Sequence, residues 1–409
     1  MSYKHGVYTA RVANAGALTA KAQGTIPVYI GTAPIHLAAD YAENGAARVN
    51  TPILLNSYRE AVALLGYSDD WAKFTLCEVI HAHFLNEINP IAPIVVVNIN
   101  DGKSGDDYAI SGVTEEAFTA ALASVANVEQ ICGVVPSIVC APELGEKYTD
   151  KLVAMCTAGI ANKWGCVAYT DLPNTIKTVA AAKTEGTKIT SKYLRPHFPK
   201  AYYGGKVYHL SVLDVLASMW TDTETEGFAC RSSSNTAIPC AAPCVSATEK
   251  LYFSETEANG LNEVGVTTVN YIGGEYRLWG GHMGNFDQSN VGNIDAQDMS
   301  DATVRADIYL HNWFKREFVD QIDFPVSRRD IDNIVANVNI GLNSFVKKGY
   351  ILHGVCYFDA ANNPSADLVA GDIKLDVQYT GTPNGKSITF EVGHTTVGLA
   401  TLENNEEEV

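Results

Sequence analysis

The stretch "APIVVVNIN" at 92–100 constrains the fold more than any other part of this 409-residue chain. A near-continuous apolar run of that length is a strand covered on both faces, and such strands belong to sheets layered between helices. Two covering layers need helices, and the neighbouring sequence supplies them. "TIPVYIGTAP" (25–34) reads as a second buried strand, stopped by Gly31 and Pro34. "NSYREAVALLGY" sets Ser57 three residues before Glu60 and ends on Gly66, the spacing of a capping box and a helix stop. "DDWAKFTLCEVIHAHFLNEINP" places Trp71, Phe74, Leu76, Val79, Ile80 and Phe84 at helical spacing.

From about 111 to 245 helical and strand patterns alternate. "TEEAFTAALASVA", "EKYTDKLVAMCTAGIANK", "TIKTVAAAKTEG" and "SVLDVLASMWTDTE" are helical, while "ICGVVPSIVCAP", "GCVAYTDLP" and part of "HFPKAYYGGKVYHL" are strands. That alternation predicts a mostly parallel, layered α/β domain. The last third differs. "DATVRADIYLHNWFKREFVDQ" carries an apolar stripe at Leu310, Trp313, Phe314 and Phe318. A second helix starts at Ser327, with Asp330 three residues on, and shows Ile331, Ile334, Val335, Val338, Leu342, Phe345 and Val346 on one face. Lys347 and Lys348 occupy its last turn and Gly349 stops it. Strands follow at "GYILHGVCYF" and "AGDIKLDVQYTG", so this part reads as α+β.

Both ends carry strand patterns without local partners. "GVYTARVA" (6–13) alternates inside a polar, small-residue segment. At the other end, "SITFEVGHTTVGLATLENNEEEV" looks like a hairpin, with Ile388, Phe390 and Val392 alternating before Gly393-His394 and Val397 and Leu399 after. Only an acidic tip follows, so nothing later can cover the open edge, and open edges pair with other chains.

A net charge of −17 argues against a nucleic-acid groove, which needs clustered Lys and Arg. No run of 18 apolar residues predicts membrane insertion, and "MSYKHGVYTARVANAG" lacks the apolar core of a secretion signal, so assembly in the cytoplasm is expected. The nine cysteines are scattered, mostly in apolar settings, and are expected to be reduced, buried small hydrophobes. "CAAPC" at 240–244 has no matching second pair for zinc. In "EVIHAH" (78–83) Glu78 and His81 share a helical face, but no third ligand follows, so a partly exposed helix is expected rather than a metal site. Nucleophile-elbow, dinucleotide and P-loop motifs do not occur, so no cofactor is implied. An acid–His–Ser order can be drawn from Asp171, His209 and one of Ser232 to Ser234, of which Ser234 is taken as the nucleophile. A hydrolytic enzyme on an α/β scaffold is therefore the alternative reading.

Several segments, in order, resemble the tail sheath family of contractile phage tails and phage-tail-like particles. They are "VYIGTAP", "PIVVVNI", "AYTDLP", "SSSNTAIPC", "LNEVGVTTV" with "YRLWGG", "RRDIDNIVANVNIGLNSFVKKGYILHG" and "NNPSADLVAGDIKLDVQYTGTP". The resemblance covers nearly the whole chain, about 6 to 400. It implies a multidomain α/β and α+β protein: an N-terminal arm at 1–24, an α/β segment at 25–110, a subtilisin-like but non-catalytic domain at 111–290, a C-terminal sheath domain at 291–392 and a C-terminal arm at 393–409. By the same resemblance, Val7, Tyr8, Thr9, Ala10, Arg11 and Val12 form one strand donated to a neighbouring subunit. Val397, Gly398, Leu399, Ala400, Thr401 and Leu402 form the other. Arg328, Arg329, Lys347 and Lys348 would face an inner tail tube protein. The implied role is structural, not enzymatic: a helical homo-oligomer of stacked rings, bounded by baseplate and tail terminator proteins, in a virion tail or bacteriocin-like contractile injection system. At the family's Trp-Gly-x-Arg-Thr element this chain departs, with His282 and Met283 in the last two places.

Overall fold

The computed structural model describes residues 24–100, 110–162, 164–323 and 325–399. The predicted buried strands meet in one six-stranded sheet. Its strands are β1 (Pro27–Gly31), β2 (Pro52–Leu55), β3 (Ile94–Asn98), β4 (Ile138–Cys140), β5 (Val167–Asp171) and β6 (Leu194–His197), in the order β2-β3-β1-β4-β5-β6. Only β2 runs antiparallel to its neighbour; the other pairings are parallel.

Strand periodicity sends alternate side chains to opposite faces. Tyr29, Ile94, Val96, Cys140 and Tyr169 pack with the Thr75–Phe84 and Leu210–Glu224 helices on one face. Val28, Ile30, Val95, Val97, Val139 and Ala168 pack with the Glu115–Ser124 and Thr149–Asn162 helices on the other. The sheet is therefore buried on both sides, as the apolar run at 92–100 requires.

Two expectations from this region are corrected. The strand in "ICGVVPSIVCAP" is only Ile138–Cys140, because the residues before it are taken by the Val128–Cys132 helix and its Gly133 stop at φ 69. The Thr75–Phe84 helix is not partly exposed. Eight of its residues are buried, Glu78 and His83 among them, because it lies between the sheet and the Leu210–Glu224 helix.

Beyond the sheet edge, β7 (Lys200–Tyr203), β8 (Lys206–Tyr208) and β9 (Ala242–Cys244) form a small antiparallel sheet. Strands β10 (Thr268–Ile272) and β11 (Glu275–Trp279) form a hairpin whose two turn residues, Gly273 and Gly274, both have positive φ. That turn matches the right-handed twist of the strands it joins.

The C-terminal unit opens with the Asp301–Glu317 helix, capped by Ser300, whose Oγ accepts from Thr303 N at 3.1 Å. The Arg328–Lys347 helix follows, and at its start Ser327 N donates to Asp330 Oδ2 at 2.8 Å. Against it lie β12 (Ile351–Tyr357) and β13 (Asp376–Gly381), paired antiparallel. Phe228, Ala306, Leu310, Val338, Leu342, Ile351 and Cys356 form their shared core. All nine cysteines are free; seven are buried, and Cys132 and Cys230 are half-buried.

Among the described residues the terminal hairpin pattern forms no paired strands. Residues 382–396 carry no regular secondary structure, and Val397–Leu399 is a single 3-10 turn. A two-stranded hairpin with no surface to pack on is marginal in water.

Candidate assembly surfaces and the buried polar centre

The residues proposed for hydrolysis are each present and each otherwise engaged. Asp171, at the end of β5, accepts from the backbone N of Leu210 (2.9 Å) and Ser211 (3.3 Å), and from the Ser211 hydroxyl. It thus satisfies free N–H groups at the first turn of the Leu210–Glu224 helix, where a negative charge is favoured. His209 points away from it, with Nδ1 2.7 Å from Glu78 Oε2 and Nε2 3.0 Å from Glu143 Oε1. Burial works against a charged imidazole, but the Glu78 carboxylate outweighs it and His209 is pushed up to about 10. With both ring nitrogens held by carboxylates, it offers no lone pair to a serine. Ser234 Oγ instead accepts from Gly280 N at 3.1 Å. The structure does not assemble this triad.

What sequence reading missed is a charged centre between the sheet and the C-terminal unit. Arg195 on β6 has 0% of its surface exposed. Its guanidinium reaches Asp214 (3.1 Å), Asp301 (2.6 Å), Ser233 Oγ (3.0 Å), Thr267 Oγ1 (3.0 Å) and the Gly280 carbonyl (2.7 Å). Burial opposes its charge, and the two carboxylates more than restore it. Asp214 also accepts from His197 Nε2 at 2.6 Å and from the Ser233 hydroxyl. Burial raises the Asp214 carboxyl, but Arg195 and His197 hold it below its ordinary range. Close by, Arg305 pairs with Asp222, which also accepts from the Thr25 hydroxyl. Among the described residues no group of three or more His, Cys, Asp or Glu is placed to hold a metal ion, and no helix is long and apolar enough to cross a membrane.

The departures at His282 and Met283 have clear local roles. Met283 is fully buried, and His282 stacks on Phe286 at 3.6 Å with Nδ1 3.0 Å from the Met299 carbonyl. Together with Asp301 N donating to Gly281 O, these contacts fix the approach to the Asp301–Glu317 helix.

On the surface, the four basic residues assigned to the tube separate into two groups. Arg328 binds Asp332 at 3.1 Å and lies over the Phe358 ring; Lys348 binds Glu226 at 2.5 Å. Arg329 and Lys347 are exposed on the face opposite the core, with Ile340 between them at 68% exposure. The β12–β13 pair is a two-stranded sheet, so among the described residues its outer edges have no strand beside them. Beyond β13, Ile388 (78% exposed), Phe390 (83%) and Val392 (93%) alternate in solvent, followed by Val397 and Leu399 in the 3-10 turn. Ala400 to Leu402 and Val7 to Val12 lie outside the described residues. The first described residues, Gly24 and Thr25, line a groove of about 150 Å³ walled by Tyr309, Trp313 and Phe345.

No protein-family model matches the chain. Over 386 residues it is 24% identical to the tail sheath protein of Escherichia phage P2, covering 87% of each chain. Over 158 residues it is 32% identical to the tail sheath protein of Burkholderia phage BcepMu, covering 36% of this chain and 30% of that one. The chain is thus similar to tail sheath proteins along most of its length. Its fold also recurs in solved structures at low identity. A chain of the anti-feeding prophage baseplate superposes with a TM-score of 0.66 at 12% identity, covering 97% of this chain and 100% of that one. A chain of an extracellular contractile injection system, the PVC sheath complex in its contracted state, gives 0.65 at 13% identity and covers 97% and 99%.

Proposed function

We propose that the chain is the structural subunit of a contractile tail sheath, polymerising helically around an inner tube and shortening to drive that tube through a target envelope. The end-to-end likeness to the P2 sheath protein carries this reading. It places the protein in a virion tail or phage-tail-like particle, with no enzymatic task. The work of shortening is stored at assembly, as a metastable lattice that gains subunit contacts when released. Non-closing head-to-tail contacts between copies generate the helix. The inner tube, baseplate and terminator proteins are its further partners.

The open edges of β12–β13 and the exposed apolar side chains of Ile388, Phe390 and Val392 support a strand-exchange lattice. Main-chain pairing supplies affinity and alternate side chains supply register. Val7–Val12 is the N-terminal donated strand, and Val397–Leu402 the C-terminal one. The exposed alternation at Ile388, Phe390 and Val392 extends the latter upstream, where the apolar side chains have nothing of their own chain to pack on. The tube-facing surface is the exposed side of the Arg328–Lys347 helix. Arg329 and Lys347 carry its free charge, while Arg328 and Lys348 are drawn into pairs within the chain. The subtilisin-like assignment is kept within this proposal for the layered sheet with helices on both faces, although three of its six strands, β1 to β3, lie before 111.

Negative-stain microscopy of the purified chain should show hollow cylinders. Deleting 1–20 or 394–409 should leave soluble monomers. Normal polymerisation of both truncated chains would refute the strand-exchange lattice.

A further inference from the structure

Two of the nine cysteines do more than fill the core. Cys156, on the sheet-facing side of the Thr149–Asn162 helix, and Cys166, one residue before β5, place their Sγ atoms 3.7 Å apart. Both are buried, and among the described residues this is the one pair of thiols recorded in contact. Gly159 packs closely on Trp164: a Cβ added there would lie 2.5 Å from the Trp164 carbonyl. This segment also touches the C-terminal unit. Asn312 accepts from Gly165 N at 2.8 Å and donates to Gly165 O at 2.9 Å, while Trp164 Nε1 donates to Glu129 at 3.1 Å.

We infer that Cys156 and Cys166 are a peroxide-oxidisable dithiol whose disulfide would clip the middle of the Thr149–Asn162 helix to the start of β5, beneath the Asn312 contact. The sulfurs already touch, so bond formation needs an approach from 3.7 Å to the roughly 2 Å of a disulfide, a movement within reach of side-chain rotation. The order of attack follows from the surroundings. Cys156 has no exposed surface and Cys166 has 3%, so Cys166 is the residue nearer to solvent. The thiol–thiol hydrogen bond, in which either sulfur can donate, and burial together push the Cys156 thiol up.

The chemistry balances with hydrogen peroxide as the oxidant. The Cys166 thiolate attacks one peroxide oxygen; an S–O bond forms, the O–O bond breaks, and hydroxide leaves and takes up the proton Cys166 had lost. The Cys156 sulfur then attacks the resulting sulfenic acid. The S–S bond forms, the S–O bond breaks, and water departs carrying the Cys156 proton. Two thiols lose two electrons and one peroxide becomes two waters. A small oxidant is required because neither sulfur is open to a bulky disulfide. The inference is independent of the sheath reading, since it rests on this pair of sulfurs alone.

Trypsin provides the test, because cleavage at Lys151, Lys163 and Lys177 puts the two cysteines on separate peptides, 152–163 and 164–177. The full-length protein is treated natively with graded peroxide, remaining thiols are alkylated, and digests are mapped without reductant. The expected result is a linked 152–163/164–177 peptide, about 2 Da below the sum of its parts because two hydrogens are lost. It should appear before any other cysteine is modified, and vanish in Cys166→Ser. Separately, Cys156→Ala should leave Cys166 to progress to sulfinic acid at the same peroxide dose, a readout that survives if one variant folds poorly. Recovery of both peptides alkylated and unlinked, or of Cys166 sulfinic acid in the unmodified sequence, would overturn the proposal.

Discussion

Replacing Arg195 by methionine tests whether the charged centre holds the molecule together. Methionine keeps much of the length and removes every donor, leaving Asp214 and Asp301 buried without their shared cation. Asp214 retains His197 and Ser233, but Asp301 retains only the Ser232 hydroxyl at 3.0 Å on Oδ2, and its Oδ1 has no partner. Breaking a buried pair by removing one member costs about 3–5 kcal/mol, because a charge remains where water cannot reach it. Domain stability is of order 5–15 kcal/mol, so the loss is a large share of the whole. The assay is urea unfolding of the unassembled chain, followed by tryptophan fluorescence. Arg231→Met is the control: it breaks the Arg231–Glu224 pair, whose side chains are 54% and 61% exposed, and should cost under about 1 kcal/mol. The double variant Arg195→Met/Asp301→Leu removes the stranded carboxylate as well and should recover part of the loss. An Arg195→Met midpoint no lower than that of Arg231→Met would refute the reasoning.

Other outcomes follow from separate features. His209 keeps its proton up to about 10 in the folded chain, against about 6.5 when unfolded, so its contribution is complete below pH 6.5 and is lost as pH rises toward 10. His209→Gln should therefore lower the urea midpoint far more at pH 6 than at pH 10; equal losses at both would contradict the Glu78–His209–Glu143 bridge. Gly265 has φ +73, and a Cβ there would meet the Met283 carbonyl at 2.4 Å, so Gly265→Ala should cost more than about 1 kcal/mol, measured by thermal unfolding. Asp330→Ala removes the carboxylate that accepts from Ser327 N and should destabilise the Arg328–Lys347 helix by about 1 kcal/mol in the same assay. Charge reversal at Arg329 and Lys347 together should weaken co-assembly with the tube protein, read by co-sedimentation, more than reversal at the internally paired Arg328 and Lys348.

The layered sheet was legible because its information is local. A run such as Ile94–Asn98 states its burial on both faces in five consecutive letters, and the helix stops at Gly66 and Gly349 state theirs in one. The Ser327 start and the apolar face through Leu342 were legible for the same reason. The charged centre was not, because its members lie far apart: Arg195 and Asp301 are 106 positions from each other. A faint signal existed in "LSVLDVLAS", where Asp214 interrupts a helix whose neighbours are all buried, and such a charge must find a partner. The terminal segments show the opposite failure. Ile388, Phe390 and Val392 have strand alternation, but a strand exists only where another strand supplies its hydrogen bonds, and within the described chain none does. The same limit explains why basic residues near the Arg328–Lys347 helix could be named but not sorted, since Glu226 and Asp332 decide which charges remain free.

The Arg195 cluster also has a mechanical meaning. It joins β6, the Leu210–Glu224 helix, the end of β11 and the first turn of the Asp301–Glu317 helix at one point, while Asn312 clasps Gly165 about three helical turns further along. A pull delivered through the C-terminal unit is thus shared between two anchorages on one helix instead of peeling it from one end. Shearing that helix off the sheet requires both to fail together, and the first cannot open without exposing three charges to a dry interior. In the sheath lattice proposed above, tension between copies would pass through the body of each subunit by way of these two anchorages.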